Sequence, residues 1–542
     1  MTHELNTITT IQLLVGLLIV VSVVAWVSNR LKVPHAILLV IVGVVLALVP
    51  GLPTLELAPE FVLLIVLPPV IYSSAVAMSW KEFRFNLRPI SLLAVGCVAF
   101  TAAAAAAATH WLLGFPWAVG FVLGAIISPP DAIAPLSVAR RMRLPRRLLV
   151  VLEGEGLAND ATALILYRFA VAAVTLGVFS FGKATEAFAI IVVSEIVWGL
   201  AVGWLMLRLR RWVRDPRIEV TLSILTPFLA YWPPEHFGGS GVLATVTAGL
   251  YISWNGLRLI SAATRLQGIF FWDLFIYLIE GTVFLVTGLQ ARALTAGIHG
   301  YSFHDLVMSA LIVCAVVIVA RFVWMYPATY VPRWLSPSLA KRDPSPPWQF
   351  PFALAFTGVR GIVSLAAALA IPLTIEGGAA FPDRDLILFL TFSVVLVTLV
   401  GQGLLLPSVI RALGLANAGL REQADERVQE SSARRQAVEA ALARLEALGL
   451  ERGLPASVLE PLRARHRERL RHVAQRGDGD EAHRKLLEAH DELEFSLIEA
   501  ERQQINELYR IGDLQDEVRR RIERELDLRE AHLNNVRGDS DD

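Results

Sequence analysis

Residues 117–135 read WAVGFVLGAIISPPDAIAP, an apolar run of membrane length that two prolines and an aspartate interrupt. Proline lacks a backbone donor and cannot continue a regular helix. Irregular backbone at membrane depth is tolerated only where it is buried in protein or lines a cavity. An ionisable residue inside a span is costly and usually marks an ion pathway. We therefore expect Ser128–Asp131 to break a membrane helix at a functional site, although a simple proline kink capped by Asp131 is the alternative.

The apolar residues are concentrated in the first part of the chain. Of the 542 residues, 55% are hydrophobic, and the last part is instead dense in Glu, Arg, Asp and Gln. The two cysteines, Cys97 and Cys314, each lie inside an apolar run, which excludes a disulfide scaffold or a Cys-rich metal site. We expect an all-α polytopic membrane protein, with a transmembrane domain at residues 1–413 and a cytosolic, charged helical tail at residues 414–542.

Apolar runs of membrane length predict about thirteen transmembrane helices. The first run is expected to be a retained span and not a signal peptide, because no basic region precedes it. The runs at 35–50, 218–232 and 240–254 are short enough to be core or re-entrant segments instead. The predicted spans are residues 8–28, 35–50, 59–78, 89–113, 117–138, 148–177, 184–207, 218–232, 240–254, 270–290, 303–330, 350–373 and 385–410.

Basic residues in the connections predict the orientation. The connections after the odd-numbered spans carry twenty lysines and arginines, among them Arg214 and Arg258, whereas the other connections carry three. Cytoplasmic loops of membrane proteins are enriched in Lys and Arg. We therefore expect the N-terminus outside and the C-terminus in the cytosol.

The charged tail has no apolar run of membrane length. Helices are predicted at Gln429–Leu448 and Glu481–Leu528, with breaks at Arg452–Pro455 and Arg476–Gly479. A solvated helical domain that packs on itself or on a second copy is the simpler interpretation, and a regulatory sensor is the alternative.

Span 6 carries polar residues at membrane depth, in the run EGEGLANDATALIL at residues 153–166. Glu155 and Asn159 are four residues apart and share a helix face, and Asp160 lies about 100° further round. Glu153 is closer to the basic connection, where an interfacial position would explain it. Burial favours the protonated form of a carboxyl group and a bound cation favours the ionised form. Asp160 could therefore hold a proton or a cation in turn, which is the chemistry of an antiporter.

Two arginines inside spans could balance the buried acids. Arg321 lies in span 11 and Arg360 in span 12, and each is expected to pair with a carboxylate or to face a cavity. Gly358 and Gly361 flank Arg360 and predict a second broken helix. Spans 5 and 12 would then be interrupted at matching places of two halves, as in transporters built from inverted repeats.

These motifs together resemble a known family. Ser128-Pro-Pro-Asp-Ala-Ile-Ala, the arginine-rich connection, Glu155…Asn159-Asp160-Ala-Thr-Ala-Leu and Gly358-Val-Arg-Gly-Ile-Val-Ser-Leu are similar to motifs of the first monovalent cation:proton antiporter family, the sodium–proton exchangers. The likeness covers roughly residues 8–413. It implies a thirteen-helix fold with a dimerisation domain and a moving six-helix core, and hence a homodimer in the lipid membrane.

The resemblance also implies roles for individual residues. Asp160 would bind the ion and the proton, and Asn159, where electrogenic relatives carry a second carboxylate, would make the exchange one-for-one. No cofactor, resident metal or nucleic acid is expected, and the cargo would be H⁺ and Na⁺, K⁺ or Li⁺. The binding residues would be Asp160, Asn159, Asp131 and Ser128; the structural ion pair and core support would be Glu155, Arg321 and Arg360.

Two departures from relatives leave the cation open. Gly156 stands where many archaeal relatives have a serine. The segment of span 3 that ends in Ser73 and Ser74 contains no glutamate, whereas those relatives often have one there. Fewer charged oxygen ligands generally favour a larger, more easily dehydrated ion. Sodium is the first candidate and potassium the alternative.

Three other classes of protein fit the sequence less well. A cation channel would need a continuous polar pore. An intramembrane enzyme is the second alternative; a zinc protease would need an HExxH motif, which the sequence lacks. A membrane-anchored scaffold would not need carboxylates in broken helices.

Overall fold

The computed structural model describes residues 7–50, 58–177, 180–213, 215–256, 259–296, 300–376, 378–476 and 481–541. The chain divides into two compact units, Met1–Leu420 and Arg421–Asp542. Within the described residues the only β-structure is an isolated bridge between Thr374 and Ala380. The expected all-α fold class is confirmed. Arg214 and Arg258 of the basic connections lie outside the described residues.

Helices occupy all thirteen predicted positions of the first unit, and two of them, α5 and α12, consist of two half-helices labelled a and b. The helices are α1 (Thr7–Leu31), α2 (His35–Ala47), α3 (Pro59–Ala77), α4 (Leu87–Leu113), α5a (Trp117–Ile127), α5b (Ile133–Arg141), α6 (Arg146–Leu176), α7 (Phe181–Arg210), α8 (Pro216–His236), α9 (Val242–Gly256), α10 (Ala262–Leu289), α11 (Phe303–Leu335), α12a (Gln349–Phe356), α12b (Ile362–Leu369) and α13 (Arg384–Ala412). In the described part of the chain, eight helices are long and apolar enough to cross a membrane. That all thirteen segments cross it stays a prediction.

The first unit contains two groups of helices. One group, here called the core bundle, consists of α4, α5, α6, α11, α12 and α13; the other, here called the scaffold, consists of α1–α3 and α7–α10. Small residues allow close packing inside each group. In the scaffold, a Cβ on Gly43 of α2 would lie 2.3 Å from the carbonyl oxygen of Leu285 in α10. In the core bundle, a Cβ on Gly124 of α5a would lie 2.4 Å from the carbonyl oxygen of Ala102 in α4.

Both predicted helix breaks are confirmed, and they lie against each other. Helix α5 is interrupted between Ile127 and Ile133, and α12 between Phe356 and Ile362. The backbone N–H of Asp131 donates to the carbonyl oxygen of Val359 at 2.7 Å. Each break leaves backbone groups without helical partners, and this hydrogen bond joins one break to the other at the centre of the core bundle.

The second unit is made of charged helices. They are α14 (Leu415–Arg452), which begins in the last residues of the first unit, α15 (Ala456–Arg476), α16 (Glu481–Arg510) and α17 (Asp516–Asp541). The single helix expected at Glu481–Leu528 is wrong, because the chain turns at Gly512, whose φ of 87° lies in the left-handed region. Ile498 of α16 and Leu526 of α17 are buried, and Arg502 of α16 pairs with Glu530 of α17 at 2.6 Å. The expected break after Arg476 falls on residues 477–480, outside the described residues.

Candidate functional site

A cavity of about 100 Å³ lies between the core bundle and the scaffold, large enough for a cation with several waters. The core bundle contributes Asp131 of the α5 break and Asp160 of α6. The scaffold contributes Glu280 of α10 and Ser74 of α3. No lysine, arginine or histidine is among the residues that line it. Among the described residues, the cavity therefore presents four carboxyl groups, those of Asp131, Asp160, Glu280 and Glu153, and no permanent positive charge.

Asp160 is half-buried and points into this cavity. Among the described residues no group donates a hydrogen bond to its carboxylate and no cation pairs with it. Desolvation penalises the ionised form of such a group, and an incoming cation would remove that penalty. The position suits a site at which proton and cation exclude each other.

Asp131 holds the break of α5. Its Oδ1 atom accepts a hydrogen bond from the backbone N–H of Ile133 at 2.9 Å, at the start of α5b. Its Oδ2 atom is buried and has no hydrogen-bond partner in the described part of the chain. Oδ1 thus accepts from the backbone, while Oδ2 remains free to bind a cation or a proton.

Two other predicted binding residues lie outside the cavity lining. The Asn159 amide nitrogen donates to the carbonyl oxygen of Pro130 at 2.6 Å, and its buried Oδ1 atom has no partner among the residues described. The Ser128 hydroxyl is buried and donates to the carbonyl oxygen of Ala125 at 3.1 Å. Both side chains contact the backbone around the α5 break.

Glu155 and Arg321 form a bidentate ion pair between α6 and α11. The guanidinium nitrogens Nη1 and Nη2 lie 2.5 and 2.8 Å from the two carboxylate oxygens, and both side chains are 1% exposed. Arg321 also donates from Nε and Nη2 to the carbonyl oxygen of Leu354, at the α12 break. The pair therefore joins α6, α11 and α12a inside the core bundle.

Arg360 lies at the α12 break, where it binds backbone and not a carboxylate. Its Nε atom donates to the carbonyl oxygen of Ile127 at 2.9 Å, and Nη1 donates to that of Gly358. Its backbone N–H donates to the Thr398 hydroxyl at 2.9 Å. The expectation that Arg360 pairs with a carboxylate or faces the cavity is not met in the described structure. The reason is that the broken helices leave carbonyl oxygens free to accept from it.

The positions that depart from relatives lie at or near the cavity. Gly156 lines it, and a Cβ there would lie 2.6 Å from the Cβ of Ala132. Ser74 lines it as well, whereas Ser73 does not. Ala132 therefore occupies part of the space that a side chain at residue 156 would need.

The sequence analysis missed several carboxyl groups inside the predicted spans, among them Glu280 and Glu195. Glu280 follows Ile279 inside the apolar run of α10 and faces Asp131 and Asp160 across the cavity. Glu195 of α7 is 1% exposed and accepts from the backbone N–H of Ser240 at 2.6 Å, close to the start of α9. The signal for both was available, since each is an ionisable residue inside a predicted span.

The comparison with protein families decides the identity. The family described as "Sodium/hydrogen exchanger, transmembrane" matches residues 17–412, nearly all of the first unit. The chain belongs to the sodium/hydrogen exchanger family. It is a multi-pass membrane protein of a family of transporters.

This exchanger is similar to proteins of several other organisms. It is 34% identical to an uncharacterised Na⁺/H⁺ exchanger of Mycobacterium tuberculosis, over 96% of this chain and 97% of the relative. It is 31% identical to a sodium, potassium, lithium and rubidium/H⁺ antiporter of Bacillus subtilis, over 73% of this chain and 61% of the relative. A Na⁺/H⁺ antiporter of Aphanothece halophytica is 31% identical over 77% of this chain and 76% of the relative.

The fold of the exchanger is also found in a solved structure. The sodium proton antiporter MjNhaP1 from Methanocaldococcus jannaschii superimposes with a TM-score of 0.60 at 18% identity, over 75% of this chain and 99% of that one. The likeness shows that the chain shares the overall fold of that antiporter.

Proposed function

We propose that this exchanger carries a monovalent cation one way and a proton the other, by competition at Asp160. Family membership supports exchange of this kind, and the position of one side chain carries the assignment to a residue. Asp160 is half-buried in a cavity without basic residues, and within the described structure its carboxylate has no partner. A proton or a cation can satisfy it, and each excludes the other.

The cavity offers a cation oxygen ligands from both groups of helices. Asp160 and Asp131 would bind from the core bundle, and Glu280 and Ser74 from the scaffold, with water completing the shell. Hard cations prefer such oxygen ligands. A cation bound between two groups of helices is released when they move apart, which fits alternating access of a core that moves against a scaffold.

Asn159, Ser128 and Arg360 act as supports in this proposal. Each side chain bonds to backbone near a helix break and not to the cavity. They hold the crossing of α5 and α12 in the shape that places Asp131 beside Asp160. The Glu155–Arg321 ion pair holds the surrounding helices.

One carrier carboxylate gives one-for-one exchange. Asp160 is preceded by Asn159, whose amide cannot titrate. Asp131 has one oxygen engaged by the backbone N–H of Ile133, which fixes its orientation. We therefore propose that Asp160 alone exchanges its proton and that the cycle moves no net charge.

The cation is proposed to be sodium, with potassium as the alternative. The names of the Mycobacterium and Aphanothece relatives refer to sodium, whereas that of the Bacillus relative includes potassium, lithium and rubidium. Gly156 contributes no ligand oxygen from its side chain. A cavity with fewer ligands favours a larger ion, because a larger ion costs less free energy to dehydrate.

The cavity extends toward the basic face of the protein. It reaches from Asp160 to Glu153, whose carboxylate pairs with Arg140 at 2.6 Å. By the enrichment of basic residues in cytoplasmic loops, this face is proposed to be cytosolic. The N-terminus would then be outside and the tail, residues 414–542, in the cytosol. We further propose that the protein is a homodimer of the bacterial plasma membrane.

The test is an exchange assay with the purified full-length protein in proteoliposomes that contain a pH dye. A preformed ΔpH should collapse on addition of Na⁺ and, for a broad exchanger, of K⁺ or Li⁺, each titrated separately against choline. Collapse with choline alone would indicate a leak or a proton channel. No collapse with any monovalent cation would reject the proposal.

A further inference from the structure

A second cavity, of about 60 Å³, lies within the core bundle at the end that carries the basic connections. It is formed by the beginnings of α4 and α6, the end of α11 and the helix α12a. Its charged lining consists of three arginines, Arg88, Arg147 and Arg333. Its apolar walls include Leu92, Leu93, Leu148, Val151, Met325 and Leu354.

The three guanidiniums converge on a single carboxylate. Arg88 and Arg333 donate from Nη2 to Oδ2 of Asp343 at 2.7 and 2.8 Å. Arg147 lies with Nη2 2.8 Å from Oδ1 of the same residue. Three positive charges thus share one negative charge, which leaves this cluster with a net charge of about +2.

The cluster is also incompletely satisfied. Arg333 is 5% exposed, so its charge is largely removed from water. The Nη1 atom of Arg88 is buried and, in the described part of the chain, has no hydrogen-bond partner. A buried guanidinium nitrogen without an acceptor is costly. An anion in the cavity would satisfy this donor and offset the excess charge.

We propose that this cavity binds a phosphate group, and that its natural source is the headgroup of an anionic membrane phospholipid. The planar fork of arginine matches the oxygens of phosphate. The apolar walls beside the arginines suit the beginning of an acyl chain, which free phosphate lacks. Arginines at the ends of membrane helices also lie at the depth of lipid headgroups.

A phosphate in this position would connect separate parts of the core bundle. Arg88 begins α4, Arg147 begins α6, and Arg333 ends α11, the helix that carries Arg321. The bound lipid would therefore stabilise the packing around the Glu155–Arg321 pair, without contact with the cavity that contains Asp160.

The test measures the melting temperature of the full-length protein in detergent with added dioleoyl phosphatidylglycerol, dioleoyl phosphatidylcholine or inorganic phosphate. Phosphatidylglycerol should raise the melting temperature of the wild type, and phosphatidylcholine should not. Arg88→Gln should raise the half-saturating phosphatidylglycerol concentration about tenfold, because one charged hydrogen bond to the phosphate is lost. Arg84→Gln, which removes an exposed charge nearby, is the matched control and should respond like the wild type. Equal responses of the two variants would overturn the proposal.

Asp343→Asn distinguishes a binding site from a purely structural cluster, and it remains informative if Arg88→Gln does not fold. The substitution removes the carboxylate that competes for the arginines, so phosphatidylglycerol should bind about tenfold more tightly although the unliganded variant melts lower. Protection by inorganic phosphate at similar concentrations would assign the same site to the free anion. Unchanged or weaker binding of both would overturn the proposal.

Discussion

Gly361 lies so close to Asp131 that a Cβ on the glycine would stand 1.9 Å from the Oδ2 atom of the aspartate. The two residues belong to the two broken helices, and the same crossing is held by the hydrogen bond from the Asp131 N–H to the Val359 carbonyl. The short side chain of Asp131 cannot yield by a small rotation, since its Cγ and Cβ would also lie within 2.6 Å of the new methyl group. The absence of a side chain at residue 361 is therefore what allows the breaks to meet.

Gly361→Ala should separate the two breaks and displace Asp131 from the cavity. We expect a loss of about 1–3 kcal/mol in the free energy of unfolding, as for other overpacked sites, and at least a tenfold lower exchange rate. Thermal melts and the proteoliposome assay measure these effects. Gly401→Ala is the matched control, because no atom lies within 4 Å of a Cβ built there. Wild-type exchange by Gly361→Ala would show that the crossing tolerates expansion.

Removal of either partner of the Glu155–Arg321 pair should destabilise the protein strongly. A buried charge without its partner costs about 3–5 kcal/mol, so Glu155→Gln and Arg321→Ala should lower the melting temperature more than Asp160→Asn. The double variant should recover part of the loss. Glu82→Gln is the control, because the Glu82–Arg146 pair is partly exposed and should contribute less than about 1 kcal/mol. Strictly additive losses in the double variant would mean that the two charges are not coupled.

A substitution at Glu280 tests whether one or two carboxyl groups exchange protons during transport. If Asp160 alone exchanges its proton, the apparent KM for the cation should rise about tenfold for each unit by which pH falls on the acid side of the profile. Glu280→Gln should keep this slope and raise KM about three- to tenfold, because one negative charge is lost from the cavity. Glu186→Gln, on the exposed face of α7, should leave KM unchanged. A wild-type slope of two that Glu280→Gln reduces to one would make Glu280 a second carrier.

The membrane potential should not affect the end point of the exchange. For sodium, the assay uses proteoliposomes with a potassium gradient and valinomycin. About 100 mV would shift an electrogenic step by roughly 2.3 kcal/mol per charge, some fiftyfold in its equilibrium constant. One-for-one exchange should instead reach a ΔpH set by the cation gradient alone. A final ΔpH that follows the imposed voltage would contradict a single carrier and point to Asp131 or Glu280 as a second site.

The broken helices were predictable because their cause is local. Pro129 and Pro130 in one span, and Gly358 and Gly361 in the other, interrupt apolar runs where a helix is otherwise expected. That Arg321 would pair with a carboxylate or face a cavity was predictable, because an isolated arginine inside a membrane span is costly. That its partner would be Glu155 was implied by the resemblance to the family. The expected Glu155–Arg321 pair is present.

The contacts of Arg360 were not predictable from residue types. Its acceptors are carbonyl oxygens of Ile127 and Gly358, and every residue carries such an oxygen, so the sequence contains no signal for them. Glu280 was recognisable as an ionisable residue inside a predicted span, but its position at the cavity was not predictable. Its helix is apolar and unbroken, and only the packing of α10 against the core bundle turns this carboxyl group toward Asp160. Which face of a membrane helix meets the site is set by tertiary packing.

The most direct measurement compares Asp160→Asn with wild type in proteoliposomes with a pH dye, at matched protein content and with cation gradients of Na⁺ and of K⁺. Asparagine keeps the volume and removes the titratable group, so cation-driven proton movement should vanish while the variant still folds and inserts. Asp385→Asn, a change of the same kind at an exposed position, should transport like the wild type. Collapse of the ΔpH by Asp160→Asn at the wild-type rate with either cation would contradict Asp160 as the carrier.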